Sequence, residues 1–78
     1  MNVEYLVDLQ GGNSSEDFGS IEKHKFDSFY DAVDLFMKEE LDSDKFGNFK
    51  MRSKVMTRFT IIEGRVHESL ITRESVGV

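Results

Sequence analysis

Apolar and polar side chains alternate over the first ten positions of the chain. The apolar positions are Val3, Tyr5, Val7 and Leu9. Because every second side chain of a strand lies on the same face, residues 3–10 are predicted to form a strand with one buried face. Residues 11–19 are rich in Gly, Asn and Ser, which favours a flexible loop. A weaker strand is predicted around 20–25, antiparallel to the first, with Ile21 facing inward.

A helical period replaces this alternation after residue 26. Apolar residues recur at intervals of three and four positions, at Phe29, Ala32, Val33, Phe36 and Met37. That spacing predicts an amphipathic helix with these side chains on its buried face, and Tyr30 falls at the end of the same apolar stripe. Asp27 or Ser28 is suited to cap the first turn, and the helix is expected to end near Leu41. Its opposite side is predicted to be acidic, with Leu35 as an isolated apolar residue.

The last third of the chain predicts a β-hairpin. Two runs rich in β-branched and aromatic residues, 53–62 and 65–73, are joined by Glu63-Gly64. Glycine readily adopts the positive φ of a tight turn, so the simplest register places Ile62 opposite Arg65. The tail 74–78 is expected to fray.

The two faces of this hairpin differ in character. The face expected to pack on the helix carries Val55, Thr57, Phe59, Ile61, Val66, Leu70 and Thr72. The face expected to meet solvent is basic and carries Lys54, Met56, Arg58, Arg65, His67 and Arg73. Together the elements predict an α+β fold of β-β-α-β-β order, an antiparallel sheet with one amphipathic helix packed on one face.

The length of 78 residues fits a single domain spanning 1–78. The chain has no cysteine, which favours a reducing compartment. Charges at Glu4 and Asp8 interrupt any signal-peptide core, and no run approaches the roughly 18 apolar residues that cross a bilayer. We therefore expect a cytoplasmic protein with no membrane partner, in the host cytoplasm if a phage encodes it.

The sequence offers little that catalysis or metal binding would need. Nucleophilic catalysis requires an activated side chain beside an oriented base, and the two histidines have no such partner at a recognisable spacing. Residues 42–47 begin like a calcium loop, but Phe46 occupies the fifth position and Ser53 the twelfth. We expect no enzymatic activity, no catalytic residue, no metal and no cofactor.

Charge is distributed unevenly around the net value of −5. Residues 1–44 contain twelve acidic residues and three lysines, whereas residues 45–78 contain seven basic residues and three acidic ones. Such polarity gives the protein a directed electrostatic field, which influences the choice of partner. The predicted partner-binding residues are Asp27, Asp31, Asp34, Leu35, Glu39 and Asp42, with Leu35 as the apolar anchor.

Carboxylates about one helical turn apart, ~5.4 Å, resemble the phosphates of a nucleic-acid strand in charge and roughly in spacing. They would attract a basic surface built for DNA or RNA. Small acidic domains of this build are common among accessory proteins of phages and mobile elements, an analogy of fold and composition. The leading hypothesis is a non-enzymatic inhibitor or modulator of a nucleic-acid-handling protein, such as a nuclease, a CRISPR effector, a toxin or a polymerase subunit.

Two alternatives belong to other classes of function. The first is DNA or RNA binding through the basic hairpin face, with Lys54, Arg58, Arg65, His67 and Arg73 as the contacts. Against it stand the net negative charge and the lack of an aromatic stacking platform on that face. The second is a structural role in which apolar residues of the same face, such as Ile62 and Ile71, form a homodimer contact.

Overall fold

The computed structural model describes residues 2–13, 16, 18–43, 45–47 and 50–76. Its elements in chain order are β1 (Asn2–Gly11), β2 (Gly19–Phe26), α1 (Phe29–Lys38), β3 (Met51–Ile62) and β4 (Arg65–Ser75). The strands form one antiparallel sheet in the order β2-β1-β3-β4, and α1 packs on one face against β1, β2 and β3. The predicted α+β class and β-β-α-β-β order are confirmed.

The hydrophobic core lies between α1 and the two central strands. Its buried members are Val7, Leu9, Ala32, Phe36, Met51 and Met56. Val7 and Leu9 come from the alternating pattern of β1, and each fully buried side chain of this kind contributes about 1.5–3 kcal/mol. Ile21 packs against this core from β2, as its position in the sequence predicted.

Helix α1 begins where the sequence predicted and ends earlier. Ser28 is the N-cap residue, and its hydroxyl oxygen accepts a hydrogen bond of 3.4 Å from the backbone N–H of Asp31. The last helical residue is Lys38, because Glu39 already has an extended backbone with ψ of 127°. The expected end near Leu41 is therefore wrong. Adjacent negative charges at the C-terminal end of a helix are unfavourable, which accounts for the early stop.

A two-residue turn joins β3 to β4. Glu63 and Gly64 both have positive φ, at 51° and 77°, which defines a type I′ turn. The resulting register places Ile62 opposite Arg65, as predicted.

The faces assigned to β3 from sequence were wrong. Residues directly opposite in an antiparallel pair share a face, and β1 places Val7 opposite Met56 and Leu9 opposite Lys54. Since Val7 and Leu9 face the helix, Met56 and Lys54 do as well. Val55, Thr57, Phe59 and Ile61 lie on the other face, which we call the helix-free face. Strand β3 carries apolar residues on both sides, so only its register with β1 decides between them.

A β-bulge moves the side chains at the C-terminal end of β4 to the opposite face of the sheet. The pairing shifts between Met56 and Thr57, and as a result Arg73 lies opposite Val55. Arg73 is therefore on the helix-free face, on the opposite side of the sheet from Arg58, which corrects the prediction that both share one basic face.

The terminal and loop regions differ from expectation in part. Strand β4 continues to Ser75, and the backbone N–H of Val76 donates a hydrogen bond of 2.8 Å to the Arg52 carbonyl, so fraying does not begin at residue 74. Residues 77 and 78 lie outside the described residues. In the predicted loop 11–19, Gly11 and Gly19 are paired strand residues, and residues 14, 15 and 17 lie outside the described residues.

Candidate functional site

The exposed side of α1 combines carboxylates with apolar side chains. Asp31 and Asp34 are exposed on the helix, and Asp27 is exposed in the bend that precedes it. Tyr30, Asp34 and Met37 follow one another at intervals of four and three residues, so they lie on the same side of the helix. We call Asp27, Tyr30, Asp31, Asp34 and Met37 the helix surface.

Tyr30 and Met37 are the functional candidates that sequence analysis missed. It placed both on the buried stripe, but Tyr30 is 82% exposed and Met37 is 70% exposed. The helix contacts the sheet along a narrower line centred on Ala32 and Phe36, so the outer edge of the apolar stripe is left in solvent. The signal was the width of that stripe, which exceeds what one flat sheet can cover.

An aromatic chain connects Tyr30 to the sheet. The rings of Tyr5 and Phe29 lie 5.5 Å apart, and the rings of Phe29 and Tyr30 lie 6.0 Å apart in an edge arrangement. Both separations fall in the range of favourable aromatic pairs. Tyr30 therefore packs against Phe29, which contacts Tyr5 of the sheet, although most of the Tyr30 surface is exposed.

Two predicted partner-binding residues are not available at this surface. Leu35 is half-buried and packs against the core, so it is not the exposed anchor that was predicted. Glu39 is only 6% exposed, and its Oε1 forms an ion pair with Lys45 Nζ at 2.6 Å. This hydrogen bond to Glu39 raises the pKa of Lys45 above its usual 10.5. Glu39 is thus buried and paired with the loop after α1, and it is not part of the exposed helix surface.

Asp42 lies apart from the helix surface. It follows α1 in a turn with φ of 60°, and its backbone N–H donates to the Met51 carbonyl. Its carboxylate is 3.1 Å from the Arg52 guanidinium, which neutralises part of its charge. Of the predicted acidic set, the structure therefore brings together only Asp27, Asp31 and Asp34.

The predicted basic set is divided among three locations. Lys54 is 5% exposed and lies under the helix, so it is not a surface residue. Arg73 is on the helix-free face. Arg58, Arg65 and His67 are exposed and share the helix-covered side of the hairpin, because Arg58 lies opposite Ser69 and Thr60 opposite His67. We call these three residues the hairpin patch.

A groove separates the helix from β4 beside this patch. Its volume is about 330 Å³, and its lining residues are Tyr5, Phe29, Arg58, Ser69, Leu70 and Ile71. The groove therefore places one exposed guanidinium beside aromatic and aliphatic side chains.

The described residues were predicted to hold neither a metal ion nor a membrane-spanning segment. Among the described residues, no three His, Asp or Glu side chains cluster in a way that could hold a metal ion. No helix formed by the described residues is long and apolar enough to span a bilayer.

The arrangement on the helix surface is thus suited to contact with another macromolecule. Comparison with protein-family models, curated proteins and solved structures finds no match to this chain.

Proposed function

We propose that this protein is a small non-enzymatic inhibitor or modulator that binds a larger nucleic-acid-handling protein through its helix surface. The observation that carries the proposal is the exposure of Tyr30 and Met37 among the carboxylates of Asp27, Asp31 and Asp34. The partner is a nuclease, a CRISPR effector, a toxin or a polymerase subunit, met in the cytoplasm of a host cell if a phage or mobile element supplies the protein.

Solubility alone would account for the carboxylates of the helix surface. Asp31 lies in the first helical turn, where a negative charge is also favoured by the helix dipole. Neither reason applies to Tyr30 and Met37, because exposing the tyrosine ring and the methionine side chain to water is unfavourable. Aromatic residues and methionine are enriched in protein interfaces, and tyrosine is frequent among the residues that dominate binding energy. The combination therefore supports a binding role over a merely solvated helix.

The charges of the helix surface indicate the kind of partner. The carboxylates of Asp31 and Asp34 on the helix, together with that of Asp27 in the preceding bend, attract a basic surface and speed association with it. Proteins that handle nucleic acid carry such basic surfaces, because they neutralise phosphates. In the proposed complex, Tyr30 and Met37 fill the centre of the contact and the carboxylates surround it.

The test compares variants in capture of partners from lysate treated with nuclease to remove bound nucleic acid. Asp31→Lys combined with Asp34→Lys reverses two charges of the helix surface, and Tyr30→Ala removes the aromatic anchor. The matched control is Glu16→Lys combined with Glu63→Lys, which changes the net charge equally at exposed positions that do not belong to the helix surface.

A basic nucleic-acid-handling protein should bind the unmodified protein and the control variant near one-to-one. The Asp31/Asp34 variant should bind it at least tenfold more weakly, because like charges then meet at the contact. Equal loss in the control variant would mean that only net charge matters and would contradict the proposal. Unchanged affinity of the Asp31/Asp34 variant would exclude the helix surface.

One observation favours nucleic-acid binding as a second candidate function. The hairpin patch keeps Arg58, Arg65 and His67 exposed on one side of the sheet, next to the aromatic residues of the groove. This proposal predicts a mobility shift of RNA or DNA at low salt that weakens steeply as salt is added. The shift should disappear in an Arg58→Ala, Arg65→Ala double variant, and absence of any shift at low salt would remove this candidate.

A further inference from the structure

The helix-free face of the sheet has an apolar region that α1 cannot cover. Phe59, Ile61 and Val66 line a shallow depression of about 340 Å³ on this face, with Glu4 and Lys25 at its edge. Val66 is 61% exposed, although a β-branched side chain is typical of a strand packed against another layer. The apolar residues are contiguous, which distinguishes them from single hydrophobic residues scattered on a surface.

Strand β4 adds to the uncovered surface of the sheet. It is an edge strand, and every one of its residues except Thr72 is exposed. A layer packed on the helix-free face would cover the β4 side chains that lie there, Val66 among them.

The charges on this face suit a second copy of the same chain. Its register places there the acidic and basic side chains of Glu4, Asp8, Glu68, Lys23, Lys25 and Arg73. Acidic and basic residues are therefore equal in number, in a protein whose net charge is −5. The helix surface, by contrast, carries three carboxylates and would repel its own copy. Self-association of this acidic protein is electrostatically permitted on the balanced face.

We propose that two copies of the protein pack sheet against sheet through the helix-free face. The contact is isologous, with a two-fold axis that lies between the sheets and crosses the strands near the level of Glu4 and Leu6. Such an axis sets Glu4 of each copy beside Lys25 of the other. The ion pairs formed by the described residues involve neither Glu4 nor Lys25, so both charges are available for this reciprocal pair.

The size of the face is adequate for such a dimer. Strands spaced ~4.8 Å apart and rising ~3.3 Å per residue give a face of roughly 19 Å by 33 Å, or about 600 Å². Specific interfaces bury about 600–1,000 Å² on each partner. The dimer would be a four-layer arrangement with the sheets in the middle and one helix on each outer side. Both helix surfaces would stay open, so the dimer would present two copies of the proposed partner-binding surface.

The experiment measures molar mass by light scattering over a concentration series up to about 100 µM, a range that detects micromolar dimers. The unmodified protein should reach the mass of a dimer. Val66→Glu should raise the dissociation constant at least tenfold, because the two-fold symmetry introduces the charge twice. Glu63→Gln, at the exposed turn, is the matched control and should leave the mass unchanged. Circular dichroism and the melting temperature verify that each variant is folded.

Two further variants test the reciprocal pair. Glu4→Lys and Lys25→Glu should each be monomeric alone, since like charges then face each other across the axis. An equimolar mixture of the two should form a heterodimer, because each copy then meets the opposite charge at both positions.

A protein that stays monomeric at 100 µM would overturn the proposal. So would a dimer that is indifferent to Val66→Glu, or one in which the mixture of charge variants is no better than either alone. Protection of this face only when a different protein is added would also contradict self-association. None of these outcomes depends on the helix surface, so the dimer and the proposed partner binding fail or succeed separately.

Discussion

Lys54 Nζ donates a hydrogen bond of 2.7 Å to the main-chain carbonyl oxygen of Phe36. It donates a second one, of 2.8 Å, to the carbonyl of Glu39, which caps the helix. Carbonyl groups in the last turn of a helix have no partner within the helix, and a positive charge there also interacts favourably with the helix dipole. A side chain from the neighbouring sheet thus completes the C-terminal end of α1. The ammonium group also lies 4.6 Å from the centre of the Phe36 ring and 3.4 Å from Glu74 Oε2.

Replacing this lysine should destabilise the protein more than its charge alone suggests. We expect Lys54→Met to lower the free energy of unfolding by about 2 kcal/mol, because it leaves buried carbonyl groups unpaired. Urea denaturation measures the change, and Lys38→Met, at an exposed lysine of the same helix end, is the control. A Lys54→Met variant as stable as the control would show that water replaces the lysine at no cost.

The ion pair between Lys45 and Glu39 should contribute to stability in a defined pH range. Its hydrogen bond to Glu39 raises the pKa of Lys45 above 10.5, so the contribution is fully present below pH 10.5 and declines as pH rises through the higher folded-state pKa. Because Lys45 is half-exposed, we expect a small effect. The difference in urea midpoint between the protein and Lys45→Met should shrink at alkaline pH. A difference that stays constant to pH 12 would contradict this assignment.

Gly11 lies against the backbone of the segment that leads into β3. A Cβ atom at this position would clash with the carbonyl oxygen of Lys50, and that oxygen also accepts a hydrogen bond from the backbone N–H of Gly12. Gly11→Ala should therefore cost about 1–3 kcal/mol of stability, since a backbone must move. Gly19→Ala, where the added atom meets nothing within 4 Å, is the matched control in thermal unfolding. Equal melting temperatures for the two variants would contradict the close approach.

The turn between β3 and β4 can be improved. Glu63 adopts a φ of 51°, which is costly for a residue with a long side chain. Asn-Gly is a preferred pair for type I′ turns, so Glu63→Asn should raise the free energy of unfolding by about 0.5–1 kcal/mol. The equivalent change Glu68→Asn, within β4, should not stabilise. A destabilised Glu63→Asn variant would indicate that the turn has another geometry.

Leu35 should contribute more to stability than Tyr30, which is the opposite of what their helical spacing predicts. Leu35→Ala should lower stability by about 1–3 kcal/mol because Leu35 packs against the core. Tyr30→Ala should change stability by less than about 0.5 kcal/mol, since Tyr30 is 82% exposed. Urea denaturation of both variants measures the two changes in the free energy of unfolding. A larger loss of stability in Tyr30→Ala than in Leu35→Ala would mean that Tyr30, and not Leu35, packs against the sheet.

Much of the local structure follows from the sequence because it depends on neighbouring residues. The alternation around Val7, the serine that caps α1 and the glycine in the β3–β4 turn all act over a few positions, and each predicted the element that forms. The element order, and hence the α+β class, follows from these local signals.

The candidate site was predictable only in part for the same reason. Asp27, Asp31 and Asp34 are exposed as their helical spacing predicted. The predictions of an exposed Leu35 and a buried Tyr30 were both wrong. Periodicity defines an apolar stripe but not the line along which the helix contacts the sheet. That line depends on the shape of the sheet beneath, which no local pattern contains.

The sequence by itself thus determined the strands, the helix, the tight turn and the acidic character of the helix exterior. Tertiary structure alone decided which side of β3 meets the helix, since Met56 and Lys54 are selected by their pairing with Val7 and Leu9 of β1. It also separated Arg73 from Arg58 through one bulge and buried Lys54 beneath α1. The physical reason is that a shift of one residue in pairing moves every following side chain to the opposite face, so faces are set by contacts between distant segments.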